Sequence, residues 1–154
     1  MSIKPINFSI SKLINLRFIG ILCCVLVLAS CKADPEDLKA HLPGYWEVTE
    51  VKKDGKLIKA FTMSATVDYF ELIDENEGFR KKVNPTLDGT YIVSQHQTPF
   101  TINIEEGDLW VNYSDNGVEY KERIIEANDK KLRIKNDAGF IYSYKSYEPI
   151  TLDK

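Results

Sequence analysis

Apolar and polar residues alternate with a period of two through most of the second half of the chain. Phe100, Ile102 and Ile104 share one face, while Thr101 and Asn103 lie on the other. The same alternation recurs in Leu109/Val111/Tyr113, Val118/Tyr120/Ile124, Leu132/Ile134 and Phe140/Tyr142/Tyr144. A period of two predicts strands with one buried and one wetted face, which is typical of antiparallel sheets.

Turn signals separate these runs at short intervals. They are the pairs Asp54-Gly55, Glu77-Gly78, Asp88-Gly89, Glu106-Gly107, Asn116-Gly117 and Ala138-Gly139. About eight or nine short strands joined by hairpins predict an all-β domain, either an up-and-down barrel or a sandwich. A short helix precedes them over residues 35–42, because Pro35 starts it, acids fill its first turn and Leu38 and Leu42 are four residues apart.

The N-terminal segment has a different pattern. Residues 1–17 are polar with scattered basic residues, and residues 18–29 form an unbroken apolar run. This order predicts a secretory signal peptide over residues 1–30. The alternative is a transmembrane anchor extended back through residues 13–16, but the apolar run falls short of the roughly 20 residues that a spanning helix needs.

A cysteine ends the apolar run. Leu28-Ala29-Ser30-Cys31 resembles the lipobox of bacterial lipoproteins, with an aliphatic residue, two small residues and the cysteine that receives lipid. The resemblance implies a diacylglyceryl group, usually with a further acyl chain such as palmitate, on Cys31, and so a stable lipid anchor in the membrane. Lys32, in place of an aspartate, favours the outer membrane, on either its cell-surface or its periplasmic side. We therefore divide the chain into a signal peptide over residues 1–30, a lipidated linker over 31–37 and a folded domain over 38–154.

Charge and cysteine content limit the partners of this domain. The chain has 20 basic and 23 acidic residues. Because residues 1–30 contain three basic residues and no acid, the remainder has 17 basic against 23 acidic, a net charge of −6. An acidic domain without a basic stripe repels phosphate, so no nucleic acid is expected as a partner. No cysteine follows Cys31, so the domain has no disulfide.

The start of the first predicted strand resembles the G-x-W motif of the lipocalin superfamily. Gly44-Tyr45-Trp46 follows the short helix, as it does in that family. The wider order of turns and strands resembles the small lipocalin-like lipoproteins of Bacteroidota. The resemblance implies an up-and-down barrel in which Trp46 plugs the closed end against a basic residue of a late strand, with Arg133 and Lys145 as candidates. Alternatively, Trp46 is simply a large core residue.

Candidate chemistry is sparse. His41 and His96 are isolated and lack the ligand spacing of a metal site, and His96 is expected in an exposed loop. The acidic stretch 74–78 is expected to be a hairpin turn rather than a calcium loop. Arg80-Lys81-Lys82 could contact anionic lipid, but such a triplet is usually a wetted strand face. We therefore expect no enzyme, no cofactor and no metal.

What remains is the barrel interior. An eight-stranded barrel is just wide enough to be filled by side chains or to hold one small ligand. Tyr142, Tyr144 and Trp110 are the candidate ligand-binding residues, because amphipathic rings can line an apolar pocket. The leading hypothesis is binding of a small hydrophobic ligand. Its alternative is a filled barrel that acts as a non-catalytic accessory protein and binds an envelope protein partner.

Overall fold

The computed structural model describes residues 32–86 and 91–148, and the predicted signal peptide and Leu28, Ala29, Ser30 and Cys31 lie outside them. One helix, α1, spans Pro35–Ala40. The nine strands are β1 Gly44–Lys53, β2 Lys56–Ala60, β3 Val67–Leu72, β4 Glu77–Pro85, β5 Tyr91–Glu105, β6 Asp108–Asp115, β7 Val118–Asn128, β8 Lys131–Asn136 and β9 Phe140–Ser146. None of the described helices is long and apolar enough to cross a membrane.

The strands form one antiparallel sheet that closes on itself. Neighbours run in chain order from β3 to β9, and β9 returns to β1 with pairs from Trp46–Ser146 to Lys53–Phe140. Eight strands, β1 and β3 to β9, thus make a closed barrel, and β2 is an additional strand. The all-β barrel prediction is confirmed, and barrel closure decides against the sandwich.

β2 and β3 share one edge of β1. The first half of β1 pairs with β3, through Gly44–Phe70 to Glu47–Val67, and the second half pairs with β2, through Glu50–Ala60 to Lys53–Lys56. β4 then pairs with β3. Among the described strands β2 is hydrogen-bonded to β1 alone, so the barrel wall is interrupted between β2 and β4.

Most predicted turns are confirmed by the backbone. Asp54, Glu106 and Asn116 have φ values of 50°, 53° and 49°, and a glycine follows each of them. This left-handed pair is the conformation that tight hairpins require. Asp88-Gly89 lies outside the described residues.

The hairpin turn expected over residues 74–78 is present between β3 and β4, but Glu77 and Gly78 do not lie in it. The chain reverses just before them, where Asp74 Oδ1 accepts hydrogen bonds from the amides of Asn76 and Glu77, and both residues already belong to β4. Gly78 lies opposite Phe100, and a Cβ there would meet the Phe100 ring at 2.7 Å and the backbone carbonyl of Glu71. Gly78 is thus a strand residue whose lack of a side chain permits close packing, and it does not form a turn.

The two ends of the barrel differ. At the closed end, α1 leads into β1; Asp34 caps the helix through its side chain, and Leu38 and Leu42 are buried. The open end carries the β1–β2, β6–β7 and β8–β9 turns. The buried core consists of Leu38, Leu42, Trp46, Phe70, Phe100, Ile102, Leu109, Val111, Tyr113, Ile124, Ala127, Leu132, Ile134 and Tyr144. The predicted alternation therefore holds in the middle of the strands, while Ile104 and Val118, near strand ends, are exposed.

Candidate functional site

The closed end is sealed by an indole ring. Trp46 is 4% exposed, and its Nε1 donates a 2.9 Å hydrogen bond to the carbonyl oxygen of Leu42. Gly44, between them, has a φ of +136°, a value that glycine adopts readily and other residues do not. The G-x-W motif thus lets the chain turn sharply and folds the tryptophan back onto the end of the helical segment.

The basic partner proposed for Trp46 is not found in either candidate. Arg133 pairs with Glu126 at 3.6 Å, and Lys145 pairs with Glu47 at 3.0 Å. Both pairs lie on strands of the wall, away from the indole nitrogen, which is satisfied by a backbone carbonyl. The contacts of Trp46 therefore support its description as a large core residue.

A buried arginine occupies the middle of the barrel. Arg80 Nη2 donates to Asp68 Oδ2 at 2.7 Å and to the Tyr144 hydroxyl at 3.1 Å, and Nη1 donates to Glu122 Oε2 at 3.2 Å. Its guanidinium carbon lies 5.1 Å from the centre of the Phe70 ring. We call Arg80, Asp68, Glu122 and Tyr144 the arginine cluster. It joins four strands, β3, β4, β7 and β9, from different sides of the barrel.

The arginine cluster is largely shielded from solvent, so its positive and negative charges must compensate one another. The side chains of Arg80, Asp68 and Glu122 are 16%, 7% and 9% exposed. Lys82 adds a second positive charge, 2.7 Å from Asp68 Oδ1, from a side chain that is 64% exposed. Two positive and two negative groups therefore compensate one another, which is the condition under which burial of charge is tolerated.

The pKa of Asp68 reflects this balance. Burial alone raises the pKa of a carboxyl group, but the charges and hydrogen bonds of Arg80 and Lys82 outweigh it and lower the pKa of Asp68 below its ordinary value of 3.8. Asp68 thus stays ionised in the folded barrel to a lower pH than in the unfolded chain.

We expect a loss of stability in acid that depends on Asp68. Because its folded pKa lies below its unfolded pKa, its contribution is fully present above about pH 4 and disappears as the pH falls through the folded value. Urea unfolding followed across that range in Asp68→Asn and in the unaltered protein measures this. The variant should take up one proton fewer on unfolding; an identical pH dependence would contradict the assignment.

Tyr144 of the cluster and two neighbouring tyrosines, Tyr113 and Tyr120, have raised pKa values. Burial raises the pKa of both Tyr144 and Tyr113, and it also raises the pKa of Tyr120. Tyr113 stacks on Tyr120 with ring centres 4.6 Å apart and meets Phe100 edge-on. The Tyr113 hydroxyl is buried beside Arg80 and Glu122, which act on its pKa, but its geometry toward the described residues gives no well-formed hydrogen bond. A buried hydroxyl without a partner is unfavourable and can be satisfied by a water or a ligand.

Towards the open end the inward-facing positions become accessible. Tyr120, which shares the inner face with Tyr113, is 41% exposed. His96 lies in β5, so the loop predicted for it is wrong, and its Nε2 is 3.0 Å from Asp115 Oδ2. Within the described part of the chain, no group of three or more histidine, cysteine, aspartate or glutamate side chains could hold a metal ion.

The candidate ligand-binding residues do not share one surface. Tyr144 belongs to the arginine cluster, and Tyr142 is partly buried against the core on the same face of β9. Trp110 instead alternates with the buried Leu109 and Val111, so it lies on the outer face, where the Lys121 ammonium is 4.3 Å from its ring centre. Trp110 therefore does not line the interior with the two tyrosines.

One cleft of about 610 Å³ runs across β4 to β7 and is not lined by Tyr142 or Tyr144. Its lining combines Phe100, Tyr113 and Tyr120 with polar side chains from the same strands. Another cleft, of about 510 Å³, is lined by Tyr144 together with polar and charged side chains. The aromatic residues of β5, β6 and β7 thus adjoin one of the spaces that are large enough for a small molecule.

Sequence reasoning missed the arginine cluster. The prediction that Arg80-Lys81-Lys82 is a wetted strand face is wrong for Arg80, whose side chain is 16% exposed, and holds for Lys82, which is 64% exposed although it pairs with Asp68. Lys81 lies over the Phe79 ring. The available signal was Glu122, which occupies an inward position between Tyr120 and Ile124. A charged residue in the buried half of an alternating strand requires a buried partner.

A comparison with protein families agrees with the barrel architecture. The model of a family described as a lipocalin-like domain matches residues 42–134. A crystal structure of an uncharacterized protein from Bacteroides eggerthii is similar at 14% identity and a TM-score of 0.43, over 68% of this chain and 98% of that one. The comparison with curated proteins gave no match.

Proposed function

Because the chain belongs to the family of lipocalin-like domains, we propose that its barrel binds a small, mainly hydrophobic molecule that carries a polar group. The proposed position lies between the arginine cluster and the open end. The closed end is unsuitable, because Trp46, Leu38 and Leu42 fill it.

The exposure of Tyr120 is the observation that carries this proposal. The residue faces the interior, since it stacks on the buried Tyr113, and yet 41% of its surface is in contact with solvent. The interior is therefore reachable from the open end as far as the ring of Tyr120.

The arginine cluster determines what such a ligand must present. A purely apolar molecule would cover Lys82 and the tyrosine hydroxyls without replacing their water, which is unfavourable. A ligand with a hydroxyl, amide or carboxyl group could hydrogen-bond to them, and the Tyr113 hydroxyl, which is buried without a well-formed hydrogen bond, is one group that such a ligand could satisfy. The rings of Tyr113 and Tyr120 would then contact the apolar part of the ligand.

Native mass spectrometry of residues 32–154, purified from the native host, tests ligand binding. This segment contains α1, all nine strands and the whole described core, so it has the elements of an independent domain. We expect a small-molecule adduct that is lost on denaturation. A ligand-free mass under gentle conditions, together with no adduct after incubation with total host lipid, would contradict the proposal.

A second function is favoured by one observation. The arginine cluster and the Phe70, Phe100 and Tyr113 rings fill the middle of the barrel. A barrel filled in this way could serve as a non-catalytic accessory protein that binds an envelope protein through its surface. Crosslinking in intact cells would distinguish the two, because only this function requires one defined protein partner.

We further propose that Cys31 is lipidated and anchors the domain in the outer membrane. The supporting pattern is the apolar run that ends in Leu28-Ala29-Ser30-Cys31. Cys31→Ala should abolish labelling with radioactive palmitate, so that no acylated form of the protein is found in the membrane fraction. Cys24→Ala is the matched control and should label normally; labelling that survives Cys31→Ala would contradict the assignment.

A further inference from the structure

Residues 52–60 form an arm at the open end, made of the end of β1, the turn and β2. All five residues of β2 are exposed, and Leu57 and Ile58 are 57% and 58% exposed. Most exposed large apolar residues of a small protein are isolated, whereas these two are adjacent on a strand that has only one partner among the described strands. The arm therefore presents apolar surface that the barrel itself does not use.

The arm is also positively charged, although the domain is acidic. It contains Lys52, Lys53, Lys56 and Lys59 against one acid, Asp54, and Lys52 also pairs with Glu50 at 2.7 Å just before the arm. Lys53 and Lys59 extend over the rings of Phe140 and Phe61, at 4.6 and 4.5 Å, so their aliphatic stems follow aromatic surface. A net charge of +3 in nine residues stands against −6 for residues 31–154.

We propose that this arm inserts into the headgroup region of an anionic lipid surface. Apolar residues flanked by lysines are the pattern by which a peripheral element enters a membrane interface, with the apolar groups at the acyl boundary and the cations among the headgroups. The proposal does not depend on ligand binding in the barrel.

The irregular edge of β2 favours an anionic lipid surface over a protein partner. Val51 pairs with Lys59 and Lys52 with Leu57, so Ile58 is the extra residue of a bulge. A protein that adds a strand to β2 requires a regular edge, and a bulge disrupts that edge. A fluid lipid layer requires no strand register, so it can take up Leu57 and Ile58 while its headgroups pair with the lysines.

Co-sedimentation of residues 32–154 with vesicles tests the proposal, because the lipid anchor is then absent. We expect binding to phosphatidylcholine vesicles that contain about one-third phosphatidylglycerol, weak binding to pure phosphatidylcholine, and loss of binding as salt rises to roughly 0.5 M. The double variant Leu57→Ser/Ile58→Ser should reduce partitioning by at least about tenfold. Lys56→Glu/Lys59→Glu should do so by a similar factor.

The closed end supplies the matched control. Ile73 and Ile104 are 70% and 44% exposed at the other end of the barrel, so Ile73→Ser/Ile104→Ser should leave partitioning unchanged. Thermal melting of each variant verifies that the barrel stays folded. The proposal is overturned if anionic vesicles bind no better than neutral ones, if the arm variants bind as well as the unaltered domain, or if poly-glutamate binds the arm while vesicles do not.

Discussion

Arg80→Met is expected to destabilise the barrel by about 3–5 kcal/mol, because it leaves two buried carboxylates without their common partner. Asp68 and Glu122 are 7% and 9% exposed at their side chains, and Lys82 reaches only the first of them. Glu122 would then have to bind a proton or draw water into the interior. Chemical denaturation at neutral pH measures the loss as a lower transition midpoint.

The control separates lost charge balance from lost packing. The triple variant Arg80→Met/Asp68→Asn/Glu122→Gln removes all three charges, so it should recover much of the lost stability, since neutral groups of similar shape are cheaper to bury than unpaired ions. Arg123→Met is the surface control: Arg123 pairs with Asp108 at 3.0 Å but is 31% exposed, and a pair of this kind contributes under about 1 kcal/mol. If Arg80→Met and Arg123→Met lower the free energy of unfolding equally, the arginine cluster contributes no more to stability than a surface ion pair.

The cluster also shows where sequence reasoning stops. Alternation correctly assigned the buried positions in the middle of β5, β6, β8 and β9, because burial of a side chain every second residue leaves a visible period. It could not show that Arg80 and Asp68 are buried together, since their pairing requires β3 and β4 to be neighbours in one register. A basic triplet on a strand has the same composition whether its first residue, here Arg80, is exposed to solvent or buried.

Barrel closure is a second feature that local pattern does not contain. The hairpins β5–β6, β6–β7 and β8–β9 follow from turn residues between alternating runs. The pairing of β1 with β9 joins residues about a hundred positions apart, and the division of the β1 edge between β2 and β3 depends on the segment 61–66. The resemblance of Gly44-Tyr45-Trp46 to a family motif supplied the barrel, whereas periodicity alone left the sandwich open.

Trp46→Ala is expected to cost about 3–5 kcal/mol, the range for removing a large aromatic side chain from a core. The indole is 4% exposed and lies in one cluster with Leu38 and Leu42. Its loss would leave a cavity and remove the hydrogen bond that holds the Leu42 carbonyl. We therefore expect a lower unfolding midpoint and faster hydrogen exchange of the amides of α1, because the helix is only six residues long and depends on that packing.

The other tryptophan gives a matched comparison. Trp110→Ala removes the same side chain from the outer face, where it contacts Lys121, and should cost under about 1 kcal/mol. Trp46→Phe keeps a ring but not the donor, so its cost should lie between the two. If Trp110→Ala proves as damaging as Trp46→Ala, the closed end is not the main seal of the core. If Trp46→Ala leaves exchange in α1 unchanged, the helix is held by contacts with β6 and β7, and the G-x-W motif serves the turn at Gly44 rather than the attachment of the helix.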